Sequence, residues 1–170
     1  MKITGALLLA LLGVMPVELL HAQVSQDLEA KFVGTWRLVS WERQFEDGTA
    51  RRDQRSVGYI MYSESGHMCW ASMDPDRPEW VSGGSPSPAE ALSGITGFAA
   101  YCGRAEIHAQ DGYVLHHVEV DKVPNSVGII RKRSFEFRGP DRIVLTVDPA
   151  ELSSPLVGMT LVFQRATKAD

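Results

Sequence analysis

Apolar and polar residues alternate with a period of two along most of the chain beyond residue 32. Successive side chains of a β-strand point to opposite faces, so this alternation is typical of strands with one buried face. Turn-forming Gly, Pro, Asn and Asp bound the alternating segments. The pattern predicts eight strands, at 33–43, 57–63, 67–73, 101–109, 113–120, 127–138, 142–147 and 158–165.

Short turns join several of these predicted strands. They lie at 63–66, 110–112 and 138–141, and each contains a glycine. Tight hairpins make consecutive strands antiparallel neighbours. Eight such strands in one domain close most readily into a barrel, because closure removes the exposed sheet edges. The predicted fold class is therefore all-β: an eight-stranded antiparallel up-and-down barrel whose interior can hold one small ligand.

Two helices are predicted beside the strands. Between strands 3 and 4, Ser87-Pro88-Ala89-Glu90 combines an N-cap hydroxyl, a proline at the first helical position and a glutamate at the third. Its apolar face would be formed by Ala91, Leu92, Ile95, Phe98 and Ala99. We expect this helix and the loop before it to form a lid or plug, or simply to cover core residues. A short N-terminal helix at 25–32 is expected to cover the other end.

The two ends of the predicted barrel carry residues that could meet. Trp36 enters the first strand and Arg165 leaves the last. If those strands are neighbours, the guanidinium can lie on the indole face and cap free backbone carbonyls. The alternative is that Trp36 is an ordinary core aromatic residue.

The first 22 residues have the pattern of a secretory signal peptide. Lys2 is followed by a short apolar run at 6–14 and by Leu20-His21-Ala22, a small-residue cleavage site. The run is shorter than the ~18 apolar residues that a membrane-spanning helix needs. We therefore expect cleavage near Ala22, no membrane anchor, a single domain at 23–170, and a periplasmic or secreted protein.

Export would permit a disulfide. Cys69 and Cys102 both lie in predicted strands, and an oxidising compartment allows them to pair if those strands are adjacent. Two separately buried thiols are the alternative. The net charge of −4 is spread over interspersed acidic and basic residues, a pattern that gives no indication of nucleic-acid binding.

Strand parity places His116 on a buried face. It shares that face of the fifth predicted strand with Val114, Val118 and Val120, while His117 points to the opposite side. A buried histidine is either a functional group or a hydrogen-bonded core residue. Both interpretations stay open.

The apolar face of the sixth predicted strand carries two arginines. Arg131 and Arg133 share it with Ile129, Phe135 and Phe137. A buried cation needs an anion or dense hydrogen bonds, because leaving it unpaired costs several kcal/mol. Candidate partners for Arg133 are Glu106, Glu119 or a ligand carboxylate. Arg133 therefore faces a ligand or forms a structural ion pair at the barrel mouth.

An ordered set of motifs resembles the bacterial and fungal lipocalin-like domain family. The set comprises Gly34–Glu42, Gly58–Tyr62, Ser65–Met68, Tyr101–Gly103, His116–Glu119 and Pro124–Arg133. The resemblance covers about 33–165 and implies a calycin-type barrel closed by the Trp36–Arg165 pair. It implies little about activity. Cys69 and Cys102 stand where the resemblance leads us to expect other residues, which again favours a bridge specific to this lineage.

Motifs of known catalytic chemistry do not occur in the sequence, which has no nucleophile elbow, phosphate loop, dinucleotide fingerprint or zinc-protease motif. We expect no metal and no cofactor. The favoured function is binding of a small, largely apolar molecule, with an optional acidic group facing Arg133. The alternative is an isomerase or cyclase using His116 and Tyr101 as acid and base.

The expected ligand site is one cavity inside the barrel. Its predicted ligand-binding residues are Tyr62, Trp70, Tyr101, His116, Arg133 and Phe135. A small-molecule site of this kind should measure at least ~300 Å³.

Overall fold

The computed structural model describes residues 17–81 and 84–168, with side chains described from residue 23 onward. Most of the predicted signal peptide, residues 1–16, lies outside this range, so its cleavage near Ala22 stays a prediction. No helix in the described ranges is both long and apolar enough to cross a membrane.

Within the described residues, the chain forms nine strands and two α-helices. The helices are α1, Val17–Phe32, and α2, Pro88–Thr96, and two 3₁₀ turns, η1 and η2, cover Pro124–Ser126 and Pro149–Glu151. The strands are β1 Gly34–Phe45, β2 Ala50–Asp53, β3 Val57–Tyr62, β4 His67–Met73, β5 Phe98–His108, β6 Tyr113–Asp121, β7 Ile130–Phe137, β8 Arg142–Val147 and β9 Leu156–Arg165.

The strands close into an eight-stranded antiparallel barrel. Consecutive strands pair from β3 to β9, and β9 pairs with β1. The first part of β1 pairs with β3 and its later part with β2, so β2 and β3 together fill one position in the barrel wall. The predicted closed barrel is confirmed.

The predicted position of the central helix, between strands 3 and 4, is wrong. Helix α2 lies between β4 and β5, because the short strand β2 precedes it and was missed. The sequence of β2, Ala-Arg-Arg-Asp, has no apolar alternation, and three of its four residues are exposed. Its pairing with β1 depends on backbone hydrogen bonds that leave no hydrophobic pattern. Helix α2 also ends before Phe98 and Ala99, which begin β5 rather than extending the helical face.

Helix α1 is longer than predicted and closes one end of the barrel. Its last residue, Phe32, is fully buried and packs edge-on against three aromatic rings, those of Tyr62, Phe135 and Phe137, at centroid distances of 5.0, 4.9 and 5.2 Å. The indole Nε1 of Trp36 donates a hydrogen bond to the Phe32 carbonyl at 2.8 Å. This end of the barrel is therefore filled by aromatic side chains.

The ends of the chain meet beside α1. Trp36 lies opposite Arg165 in the β1–β9 pairing, and the guanidinium carbon is 4.0 Å from the indole centroid. The same guanidinium donates to the carbonyls of Val33 and Lys31 at 2.9 and 2.8 Å. Gly34 has φ +128°, and a Cβ there would lie 2.8 Å from Arg165 Nη1. A glycine two residues before the tryptophan thus leaves room for the arginine.

A β-bulge in β1 reverses the faces of the strand. Leu38 lies opposite Phe163 and Ser40 opposite Val162, so Val39 is the extra residue. Beyond the bulge Trp41 lies opposite the core residue Leu161 and points inward. Unbroken alternation from Trp36 would have placed Trp41 outside.

A second bulge, in β6, also reverses the faces of its strand. Cys102 lies opposite Val120 and Gly103 opposite Val118, which leaves Glu119 without a partner. The expectation that Val120 shares the buried face of His116 is therefore wrong, and Val120 is 63% exposed. Asp121 takes the inward position opposite Tyr101.

Cys69 and Cys102 form a disulfide between neighbouring strands. They lie directly opposite each other in the β4–β5 pairing, with their Cα atoms 4.1 Å apart. Their neighbours Trp70 and Tyr101 line the interior, so by alternation the disulfide lies on the outer wall. The structure thus favours the bridge over two separately buried thiols.

Candidate functional site

A cavity of about 250 Å³ opens at the end of the barrel opposite α1. Most of its wall is apolar or aromatic, formed by Trp41, Ile60, Trp70, Tyr101, Leu145, Val147, Leu152, Met159, Leu161 and Phe163, with Ala99, Ala100 and Val123 at the rim. The charged lining residues are Asp121, Lys122, Arg131, Arg133 and Glu151. The cavity is smaller than the ~300 Å³ expected for a drug-sized ligand.

Aromatic rings build one side of this cavity. The indoles of Trp41 and Trp70 meet edge to face at 6.0 Å, and Trp70 lies 5.4 Å from the ring of Tyr101. Trp70 and Tyr101 are opposite each other on β4 and β5, which fixes their spacing. Trp41 joins them only because of the bulge at Val39.

Behind the cavity, His116 links two tyrosines. The Tyr101 hydroxyl lies 2.8 Å from Nδ1 of His116, and the Tyr62 hydroxyl lies 2.9 Å from Nε2. A neutral imidazole has one donor and one acceptor nitrogen, so it accepts from one hydroxyl and donates to the other. All three side chains are buried.

Burial keeps this histidine neutral. Desolvation, with smaller contributions from the charges of Arg133, Arg131 and His117, lowers the pKa of His116 from 6.5 to about 3. Desolvation also raises the pKa of both Tyr62 and Tyr101 above the usual value. None of the three groups is tuned toward neutral pH, which weakens the case for general acid–base catalysis here.

Arg133 forms an ion pair with Glu151. Its Nη1 donates to both carboxylate oxygens of Glu151, at 2.9 and 2.8 Å, and to the Lys132 carbonyl at 2.6 Å. Glu151 belongs to η2 in the β8–β9 connection and also accepts a hydrogen bond from the Lys132 amide at 2.6 Å. The prediction that Glu106 or Glu119 pairs with Arg133 is therefore wrong.

Both rejected partners lie elsewhere for structural reasons. Glu106 is on the outer wall, where it accepts from His117 and His108 at 2.9 and 3.0 Å. Glu119 is the exposed bulge residue of β6. Neither carboxylate can reach the interior from those positions.

Arg131 forms the second ion pair of the cavity. Its Nη2 lies 3.2 Å from Asp121, and its guanidinium carbon is 5.1 Å from the Tyr101 ring centroid. Its Nε is buried and has no hydrogen-bond partner in the described part of the chain. The indole Nε1 atoms of Trp41 and Trp70 are also buried and have no hydrogen-bond partner among the described residues.

The predicted ligand-binding residues divide into two layers. Trp70, Tyr101 and Arg133 line the cavity. The other three, Tyr62, His116 and Phe135, do not line it, since Phe135 and Tyr62 pack against Phe32 and His116 lies between the tyrosines. Their expected place on the cavity wall is corrected to a layer behind it.

Strand parity missed three residues of the cavity. Trp41 and Asp121 face inward only because of the two bulges, and Glu151 is in a connection to which parity does not apply. Gly103 is a local signal for the bulge in β6, because a Cβ there would lie 1.8 Å from the His117 carbonyl oxygen. Among the described residues, no group of three or more His, Cys, Asp or Glu side chains could hold a metal ion.

Two designed proteins are among the solved structures that resemble this chain. A redesigned β-barrel has 12% sequence identity and a TM-score of 0.42, and the match covers 82% of this chain and 96% of the other. A de novo designed fluorescence-activating β-barrel has 13% identity and a TM-score of 0.44, with 82% and 98% covered. These similarities are too low to carry an argument about the site.

Comparison with curated proteins gives no match to this chain. The family model of the lipocalin-like domain, however, matches residues 33–166, which include every described strand from Gly34 to Arg165. The motifs that carried the resemblance in the sequence all fall inside this range. The chain belongs to the lipocalin-like domain family.

Proposed function

We propose that this protein binds a small, largely apolar molecule inside its barrel. The observation that carries the proposal is the cavity of about 250 Å³ with an aromatic and aliphatic wall. Pockets of this composition, with a few fixed polar groups, are typical of small-molecule sites. An apolar cavity of ~150 Å³ holds a molecule the size of benzene, so a compound with one or two rings fits this one.

Export to the periplasm or the cell exterior is part of this proposal. It is supported by the signal-like residues 1–22 and by the disulfide between Cys69 and Cys102, which persists best in an oxidising compartment. N-terminal sequencing of the protein from its own host tests it, and a mature chain that begins near Gln23 is the expected result.

The second candidate is an isomerase or cyclase acting in the same cavity. It is favoured by one observation: the Tyr101 hydroxyl, on the cavity wall, is hydrogen-bonded to His116 at 2.8 Å. The low pKa of His116 makes it a weak base at neutral pH, so binding without turnover is the stronger candidate. Loss of turnover in a His116→Ala protein that still binds its ligand would favour the enzyme.

Native mass spectrometry of the protein purified from its host tests the binding proposal directly. The expected result is an added mass of one small organic molecule per chain. Val147→Phe, which places a larger side chain in the cavity wall, should abolish that added mass while the barrel remains folded. Val57→Phe on the exposed face of β3 is the matched control and should retain it. Retention by Val147→Phe would place the ligand outside the barrel.

A further inference from the structure

We infer that Glu151 makes this cavity selective for uncharged hydrogen-bond acceptors, such as ketones, aldehydes and esters, over carboxylic acids. The inference rests on the proposed binding function and names its ligand class. It also revises the expectation that an acidic ligand group faces Arg133.

Glu151 already occupies the position that a ligand carboxylate would take at Arg133. Nη1 of this arginine contacts both oxygens of Glu151, and the Glu151 carboxylate also accepts from the backbone amide of Lys132. Because Glu151 belongs to the same chain, its carboxylate is present at a high effective concentration. A ligand acid would have to displace it and leave a carboxylate unpaired near the buried wall.

The second arginine of the wall is also paired, and the lysine at the rim is held by backbone carbonyls. Arg131 lies against Asp121, whose second oxygen accepts from the Val123 amide at 2.7 Å. At the rim, the ammonium of Lys122 donates to the carbonyls of Ile95, in the last turn of α2, and Phe98, the first residue of β5. Both arginines of the cavity are therefore paired with carboxylates, and the remaining described cation, Lys122, is exposed at the rim.

What the wall does offer is N–H donors. Nε1 of Trp41, Nε1 of Trp70 and Nε of Arg131 are buried without acceptors among the described residues, and all three side chains line the cavity. A buried donor without an acceptor is unfavourable, so a group that supplies one is stabilised. A ligand carbonyl oxygen can accept from one of these donors once its side chain turns toward the cavity, and it does so without adding a charge. These donors lack an acceptor, while both arginines already have a carboxylate partner. The cavity therefore favours a ligand with an uncharged hydrogen-bond acceptor.

Matched pairs of probes separate charge from shape. The first pair is the acid 2-naphthoate and the ketone 2-acetonaphthone, in which a methyl group replaces one carboxylate oxygen. Benzoate and acetophenone form a smaller pair that differs in the same way. Calorimetry at pH 7 should show that the wild-type protein binds each ketone at least about tenfold more tightly than its acid.

The variant Glu151→Gln keeps the size of the side chain and removes its charge. It should bind the acids at least about tenfold more tightly than the wild type, because Arg133 is then free to pair with them, while ketone affinity changes by less than about threefold. Glu151→Ala should shift the preference in the same direction. Glu136→Gln is the matched control, since Glu136 lies on the outer face of β7 and pairs with Arg138.

Two results would overturn the inference while leaving binding intact: a wild-type protein that binds acids as tightly as ketones, or an acid-to-ketone ratio that Glu151→Gln leaves unchanged. If none of the four probes binds the wild type or either Glu151 variant, the proposed binding function itself fails for this ligand class. Melting curves of every variant, taken alongside, show whether the protein is folded.

Discussion

At the scale of single residues, the histidine between two tyrosines is held on every side. His116 is 1% exposed and both of its ring nitrogens are engaged by hydroxyls. Protonation would require both nitrogens to donate, so the hydroxyl that now donates to the ring would have to turn away. Its neutrality is therefore enforced by hydrogen bonding as well as by burial.

This neutrality predicts a pH dependence of stability. The unfolded chain takes up the His116 proton near pH 6.5, whereas the folded chain does so only near pH 3. Between those values the unfolded state binds more protons, so this contribution to stability is complete above pH 6.5 and is lost as the pH falls toward 3. The expected loss from His116 between pH 7 and pH 5 is about 2 kcal/mol.

Denaturant unfolding of the His116→Gln variant at pH 7 and pH 5 measures this effect. The variant should be less stable than the wild type at pH 7, yet lose about 2 kcal/mol less on acidification. His67→Gln, at an exposed position of β4, is the control and should follow the wild type. Equal losses in wild type and His116→Gln would contradict the assignment of a buried neutral histidine.

The sequence predicted correctly that His116 and Arg133 point inward, but it did not predict the ion-pair partner of Arg133. Alternation alone placed His116 and Arg133 on the inner face, where both are buried. It could not find Glu151 as the partner of Arg133, because that contact depends on the conformation of the β8–β9 connection. Side-chain direction follows from a local period, whereas an ion pair between distant segments follows from three-dimensional packing.

At the scale of elements, the two bulges determine which residues reach the cavity. Each inserts one unpaired residue, Val39 or Glu119, and turns inward the side chain two positions later, Trp41 in one strand and Asp121 in the other. A period-two pattern contains no signal for such an insertion. The barrel could therefore be predicted from the sequence, but two of its cavity residues could not.

Gly103 is predicted to be essential for the bulge in β6. A Cβ at this position would lie 1.8 Å from the His117 carbonyl oxygen, so Gly103→Ala must displace the backbone of one strand. We expect a loss of about 3 kcal/mol in the free energy of unfolding. Gly84→Ala is the control, because no described atom other than those of its chain neighbours lies within 4 Å of its Cβ position. Thermal unfolding of both variants tests this, and equal stability would rule out a packing role for Gly103.

At the scale of the whole molecule, the two ends of the barrel differ in kind. Aromatic rings around Phe32 fill the end that α1 covers, while the other end holds the cavity, its rim of charged residues and η2. The chain closes at the filled end, where Arg165 joins β9 to β1 and to the last turn of α1. The closing contact of the barrel and the proposed ligand cavity thus lie at opposite ends.

Removing the closing arginine should destabilise the whole barrel. Arg165→Ala loses two hydrogen bonds to backbone carbonyls and the contact with Trp36, and a loss of about 3 kcal/mol is expected. Arg142→Ala, at an exposed position on β8, should cost less than about 0.5 kcal/mol. Chemical denaturation measures both, and an unchanged midpoint for Arg165→Ala would contradict its closing role.

The disulfide on the outer wall makes the long connection between β4 and β5 a covalent ring. Cys69 and Cys102 are 33 positions apart, and the ring contains α2 and the highly exposed Val81. Limited chymotrypsin digestion that cuts the chain once after Trp80 would therefore leave its two pieces linked. Such a protein should run as one band on a non-reducing gel and as two after reduction, and pieces that separate without a reductant would show that the bridge is absent.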